Sequence, residues 1–351
     1  RGHRPVNGAL TLAVELAWWQ QTGIRAVVGL LAVLLPAGTL VYLFLFKMMS
    51  FMQSRLGPME AGPYGSLQLL AEVGKFLQKE DILPRKADRW VFMAAPFVVL
   101  ISTFLLVLVI PAGPDAWFID IDTGIFFALA VSSISVIGIL MAGWASSSKY
   151  SLLGALRAAG QLVAYELPLV LAVMGVVIQA GTLNVQDIVM AQATGEIFGW
   201  GGIGNPFILT QFLGFAIFLI AVQAELTQPP FDMPVAESEL VTGYLTEYSG
   251  LRFLLFFIAE FATAGIFSAL AATLFLGGWY VPGLDPTSNL FNVLGPAILL
   301  GKVILVAFLI FWFRFTYPRF REDQLQQLAW KVLIPLALIN IVVTGVLKVV
   351  F

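Results

Sequence analysis

Trp90 to Ile110 reads WVFMAAPFVVLISTFLLVLVI, 21 residues without one charged side chain, and Pro111 closes the run. At 1.5 Å per residue, a helix of that length is about 31 Å long, close to the hydrocarbon thickness of a bilayer. Outward from it in both directions lie seven more long apolar runs, six of them with one or two charged side chains: Ile24–Phe46, Gly124–Trp144, Leu156–Ala180, Pro206–Leu226, Phe253–Trp279, Leu290–Phe313 and Leu328–Phe351. The alternating segments of about ten residues that mark a transmembrane barrel are not visible. The expected fold class is therefore all-α: a polytopic transmembrane helix bundle of eight spans, forming a single membrane domain over residues 1–351. No internal repeat is seen, so the inverted-repeat signature of carriers is missing. No leader pattern precedes the first run, so no signal peptide is expected, and Arg1 in place of Met is read as a trimmed start.

Composition agrees with the runs. Hydrophobic residues make up 59% of the 351 and charged residues 11%, where a soluble domain carries roughly a quarter charged. There is no Cys and a single His, His3. Iron–sulfur ligation, disulfides, thiol chemistry, bis-histidine haem and Ser-His-Asp catalysis are thereby excluded, and no metal site is expected. A net charge of −2 gives no reason to expect nucleic acid. Any chemistry must be proton, ion or ligand handling by carboxylates, Lys and Arg.

The placement of those cations sets the expected orientation. The segments after spans one, three, five and seven hold fourteen Lys and Arg, and the loops after spans two, four and six hold none. The odd loops are therefore expected inside and both termini outside. Within the first inside loop, Leu69, Leu70, Val73, Phe76 and Leu77 follow helical spacing, as do Gln68, Glu72, Lys75 and Lys79. Ser66 to Lys79 is expected as one interfacial amphipathic helix, either a plain surface anchor or the border of an opening for a lipid-soluble ligand.

The third inside loop breaks the charge rule. Glu225, Asp232, Glu237, Glu239 and Glu247 fall within 23 residues, and Arg252 is the one cation there. Residues 227–252 form an acidic inside loop, either simply solvated or folded against something through Gln228-Pro229-Pro230-Phe231-Asp232-Met233-Pro234. Three ionisable groups fall at membrane depth: Glu166, about 13 Å along a helix from Arg157, then Glu260 and Lys302. Such groups default to a functional reading, here a proton relay. A buried Glu260–Lys302 ion pair is the structural alternative.

Read together, these residues resemble the H-type subunits of respiratory complex I. The resemblance rests on Ala224-Glu225, Pro230-Phe231-Asp232, Ala236-Glu237-Ser238-Glu239-Leu240-Val241 and Thr246-Glu247-Tyr248-Ser249-Gly250. It extends to Gln53-Ser54-Arg55-Leu56-Gly57-Pro58, Gly62-Pro63 and Lys79-Glu80-Asp81 in the first inside loop, and to Gly143-Trp144-Ala145-Ser146, Lys149 to Gly154, Arg157 and Tyr165-Glu166 in the second. It implies a membrane subunit of a proton-translocating NADH:quinone oxidoreductase, with quinone as substrate. NADH, flavin and iron–sulfur clusters would belong to partner subunits of a hydrophilic arm, beside other membrane subunits and lipid, in an energy-transducing membrane such as the bacterial plasma membrane. Glu166, Glu225, Glu237, Glu239, Glu247 and Glu260, with Arg157, match the proton path. Arg55, Phe231 and Asp232 match positions at or near the quinone cavity. Two carboxylates and three arginines usual in the family are replaced, at Leu45, Phe46, Glu60, Gln228 and Val235. A ferredoxin- or hydrogen-linked energy-converting relative shares the fold, and a stand-alone ion carrier using Glu166, Glu225 and Glu260 is the reading from another class.

Overall fold

The computed structural model describes residues 31, 38–114, 116, 118–195, 204–283, 286 and 290–350. Among them the chain is helical and contains no strand. We number the main helices in chain order: α1 (Gly38–Met52), α2 (Gln68–Gln78), α3 (Arg89–Val107), α4 (Gly124–Ala145), α5 (Lys149–Ala180), α6 (Val185–Thr194), α7 (Phe212–Glu225), α8 (Gly250–Phe275), α9 (Leu290–Thr316) and α10 (Glu322–Val350). Six of these, α3, α4, α5, α8, α9 and α10, are long and apolar enough to cross a membrane. Shorter apolar helices, α1 and α7, stand where the first and fifth spans were expected. Most of the first expected run before Gly38 lies outside the described residues. The chain is thus a multi-pass membrane protein.

Local chemistry sets the helix limits. The Asp88 carboxylate accepts the Val91 N–H at the start of α3. Asn184 accepts from Gln186 and Asp187 N–H at the start of α6; both are N-caps that satisfy otherwise orphaned donors. Gly181, at φ +78°, ends α5 in the left-handed conformation open to glycine. α5 begins at Lys149, seven residues before the apolar run that announced it. One face of its added turns packs on protein: Ser151, Gly154 and Ala155 are buried, and Ser151 donates to the Tyr244 carbonyl at 3.2 Å. The interfacial helix is α2, two residues shorter at the start and one at the end than expected, with none of its residues buried.

Packing relies on close approach and aromatic contact, since lipid offers no hydrophobic drive between helices. A Cβ on Gly138 of α4 would lie 2.5 Å from Val99 of α3. Phe44, Phe311 and Phe261 stack in sequence, with centroids 5.1 and 5.8 Å apart, joining α1, α9 and α8. A buried amide pair crosses α7 and α10: Asn340 donates to Gln211 at 2.8 Å and Gln211 to Thr344 at 2.7 Å.

Two lysines cap helices at the Lys/Arg-poor end. Lys302 of α9 donates to the Leu276 and Tyr280 carbonyls at 2.7 and 2.6 Å, just beyond α8. Lys348 of α10 donates to Ile178 and Gln179 at the end of α5, at 2.6 and 3.2 Å. The Glu260–Lys302 pair considered from the sequence is therefore not formed. Lys302 satisfies helix-terminal carbonyls, and Glu260 pairs elsewhere.

Candidate functional site in the acidic loop

At the Lys/Arg-rich end, the chain leaving α7 folds back on α5, α9 and α10 before starting α8. Gln161 of α5 fixes the first part of this loop. Its buried amide nitrogen donates to the Ala224 and Phe231 carbonyls, each at 2.7 Å. Gln223 donates to the Pro229 carbonyl at 2.7 Å, and Phe320 N–H to the Pro230 carbonyl at 3.0 Å. Phe231 is 3% exposed, with ring centroids of Tyr165 and Phe320 at 5.2 and 5.5 Å. Tyr165 in turn donates to the Leu325 carbonyl at 2.9 Å. Rigid Pro-Pro, an aromatic cluster and amide clamps make this a folded loop, not a solvated acidic strand of chain.

A line of alternating charge runs across its surface. Asp232 Oδ1 lies 3.1 Å from Arg319 Nε, and Glu239 lies 3.5 Å from Arg319 and 2.7 Å from Arg157. Arg157 also stands 4.0 Å from Glu322, and Arg319 donates to Ser238 at 2.9 Å. The Arg157 hydrogen bond holds the Glu239 carboxyl below the usual carboxylate range, and the Arg319 charge adds to it. Beside this line opens a cleft of about 410 Å³, walled by Arg157, Glu239, Arg319, Arg321, Glu322 and Asp323, among others. Its walls are charged, unlike the apolar walls a quinone tail calls for, and Phe231 lies outside its lining.

The deeper carboxylates form two further groups. Glu225, at the end of α7, has a buried Oε2 without a hydrogen-bond partner. It lies within electrostatic reach of Glu166. Glu260 of α8 accepts from Gln228 at 3.0 Å and from Arg314 at 3.3 Å, and the Arg314 guanidinium sits 5.7 Å from the Phe261 ring centre. Burial, with the Glu260 charge adding, pushes the Tyr244 hydroxyl up. Glu237 is exposed and Glu247 half-buried. Among the described residues neither makes an ion pair. Arg55 is exposed and bonds Gln53 at 2.8 Å; no hydrogen bond or ion pair joins it to Phe231 or Asp232.

The structure thus brings Arg157, Asp232 and Glu239 together through Arg319, sets Glu166 near Glu225, and places Glu260 with Gln228. Sequence reading missed Gln161, Arg314 and Arg319 as parts of the site. The two arginines counted only toward orientation. Gln161 carried a signal, a polar residue within the apolar stretch leading to Glu166.

A family model described as NADH dehydrogenase matches residues 24–345. The chain belongs to the NADH dehydrogenase family. Within that family it is 45% identical over 320 residues to the H subunit of NADH-quinone oxidoreductase from Geobacillus kaustophilus, covering 91% of this chain and 92% of the relative. It is also 45% identical over 340 residues to the H subunit from Brevibacillus brevis, covering 96% of each, and 45% over 330 residues to the H 2 subunit from Syntrophobacter fumaroxidans, covering 92% and 94%. The resemblance read from the acidic loop is borne out at family level, and in this NADH dehydrogenase family member the loop is held by Gln161, Gln223, Arg157 and Arg319.

Proposed function

We propose that this chain is the H-type membrane subunit of a proton-translocating NADH:quinone oxidoreductase, seated between a cluster-bearing hydrophilic arm and the other membrane subunits. Identity of 45% across more than nine-tenths of the chain supports that assignment. Quinone is its substrate, the Lys/Arg-rich end faces the bacterial cytoplasm, and both termini lie outside. The quinone chamber is bounded by the inside ends of α1 and α8, by α2 and by the loop around Phe231, with Arg55 and Asp232 as its polar groups.

The proton path runs through Glu166, Glu225, Glu237, Glu239, Glu247 and Glu260, with Arg157 holding Glu239. The observation that carries this reading is a set of unpartnered buried oxygens: Gln161 Oε1, Gln223 Oε1, Gln228 Oε1 and Glu225 Oε2. Each amide nitrogen already donates to a carbonyl or carboxylate, so the atoms left over are acceptors whichever way the amides were assigned. Buried acceptors without donors are satisfied by internal water or by a proton. A hydrated loop beneath the surface carboxylates is what proton transfer needs. Quinone reduction takes up two electrons and two protons. Until the protons arrive, negative charge in the chamber raises the proton affinity of nearby carboxylates, beginning with Asp232 and Glu239. Arg319, ion-paired with both, conveys that change between them.

The test is Glu166→Gln and Glu225→Gln in assembled complex, with electron transfer and proton uptake measured together. Proton uptake per electron is expected to fall in both. Full pumping in both assembled variants would make these acids structural.

A further inference from the structure

Five residues, Tyr248 to Arg252, hold three helices at once. Ser249 Oγ donates to the Glu80 carbonyl at 3.1 Å and accepts the Ile82 N–H at 3.2 Å. Arg252 lies 3.1 Å from Asp81, with its side chain 18% exposed. These three partners follow directly on the end of α2. Phe76, on α2 itself, stacks on Phe253 at 5.6 Å. On the other side, Tyr248 donates to the Phe92 carbonyl at 3.0 Å, stacks on its ring at 4.1 Å, and shares that ring with Arg252, 5.5 Å from its centre. Gly250 has φ +55°, and a Cβ there would lie 3.2 Å from the Lys79 carbonyl. The turn is a clasp: the end of the acidic loop grips the chain leaving α2 and the start of α3.

We propose that Ser249 and Arg252 are positioning residues for quinone, fixing α2 against the acidic loop and so setting the width of the chamber mouth that α2 borders. This rests on the quinone reading given above. The physical case lies in what else holds α2. None of its residues is buried; Leu69 packs on the main core near Gly38 at one end, and at the other the clasp supplies an ion pair, two hydrogen bonds and a ring stack. Among the described residues Asp81 is the carboxylate that pairs with Arg252, and Arg252 Nη1 is buried without an acceptor. Losing Asp81 therefore leaves a poorly exposed guanidinium without its counter-charge, and the segment after α2 shifts to relieve it. A displaced mouth weakens quinone access, while the reacting centre, farther in, is unchanged.

The experiment is a charge swap in the assembled complex. Asp81→Arg and Arg252→Asp singly are expected to raise the apparent KM for quinone by about three- to tenfold, with kcat at saturating quinone nearly constant. The double variant carrying both is expected to restore KM to near the parent value. Unchanged KM in the singles, or a double variant as impaired as the singles, overturns the proposal. If the charge variants do not assemble, Ser249→Ala carries the test, since it deletes two hydrogen bonds and no charge. A raised KM at constant kcat supports the clasp, and an unchanged KM overturns it. Phe231→Ala separates this from the chamber reading. If only the clasp variants move KM, Phe231 is misplaced; if only Phe231→Ala moves it, the clasp fails and the chamber stands.

Discussion

Glu239 is half exposed, at 51% of its side chain, yet two arginines, Arg157 of α5 and Arg319 from the connection between α9 and α10, meet on it. Because Arg157 depresses its proton affinity, the contact contributes to loop order above the ordinary carboxylate range. It is lost as pH falls through the depressed value. Arg157→Gln removes the first cause, so Glu239 should titrate nearer the ordinary range and the loop should loosen at a higher pH. Hydrogen exchange of residues 233–249 against pH will show it: the Arg157→Gln curve should begin to rise on acidification before the parent curve does. Superimposed curves would leave Glu239 with no part in holding the loop. At Phe231 the expected result is kinetic. If the loop around Phe231 bounds the quinone chamber as proposed, truncating a ring packed between Tyr165 and Phe320 opens space in its wall, so Phe231→Ala should raise the apparent KM for short-chain quinone. Both acids and Phe231 were legible in the sequence because they sit in a compact signature. Arg319 was not, since it lies some eighty residues beyond its carboxylates and only folding brings them together.

Among the elements, α5 touches the loop most closely. A Cβ at Gly154 would lie 2.7 Å from Gly243 Cα and from Tyr244 N, all backbone that cannot swing aside. Gly243 itself has φ +57°, and a side chain there would run into the Pro234 carbonyl. Gly154→Ala should therefore destabilise the subunit by about 1–3 kcal/mol through overpacking, read as a lower melting temperature of the purified complex. Gly160→Ala is the matched control. Nothing lies within 4 Å of its added methyl, so stability should hold or rise slightly. The long apolar runs were plain to read because bilayer thickness dictates their length. The first two turns of α5 were not, because Lys149 and Ser151 interrupt the apolar run while Ser151 and Gly154 pack on the loop, and a hydropathy reading sees only the apolar part of a helix. α2 was placed to within two residues, since its amphipathic period is independent of tertiary contacts.

For the whole molecule, orientation is the property on which the proposed proton path depends. With fourteen cations on one set of loops and the helix ends beside them, that end should face the cytoplasm. A cysteine introduced at Gly283 into a chain otherwise free of cysteine should react with a membrane-impermeant reagent from outside. Labelling from the cytoplasmic side alone would invert the topology and with it the direction of the acidic loop. The all-helical membrane fold and the family were readable from the sequence. The division of the acids into a surface line, a Glu166–Glu225 neighbourhood and a Glu260 group was not, because it depends on which helices become neighbours.

The lysine caps bear on how the chain is made. Lys302 and Lys348 lie on spanning helices at the Lys/Arg-poor end, where the positive-inside bias disfavours cations. Their acceptors are the carbonyl ends of α8 and α5, which carry partial negative charge. Both acceptor helices precede their lysines in the chain. As synthesis proceeds from the N-terminus, each lysine arrives at a receptor already in the membrane. The order of the helices along the gene product is thus also a workable order of insertion, and a permuted chain that placed α9 before α8 would present Lys302 to lipid with no acceptor waiting.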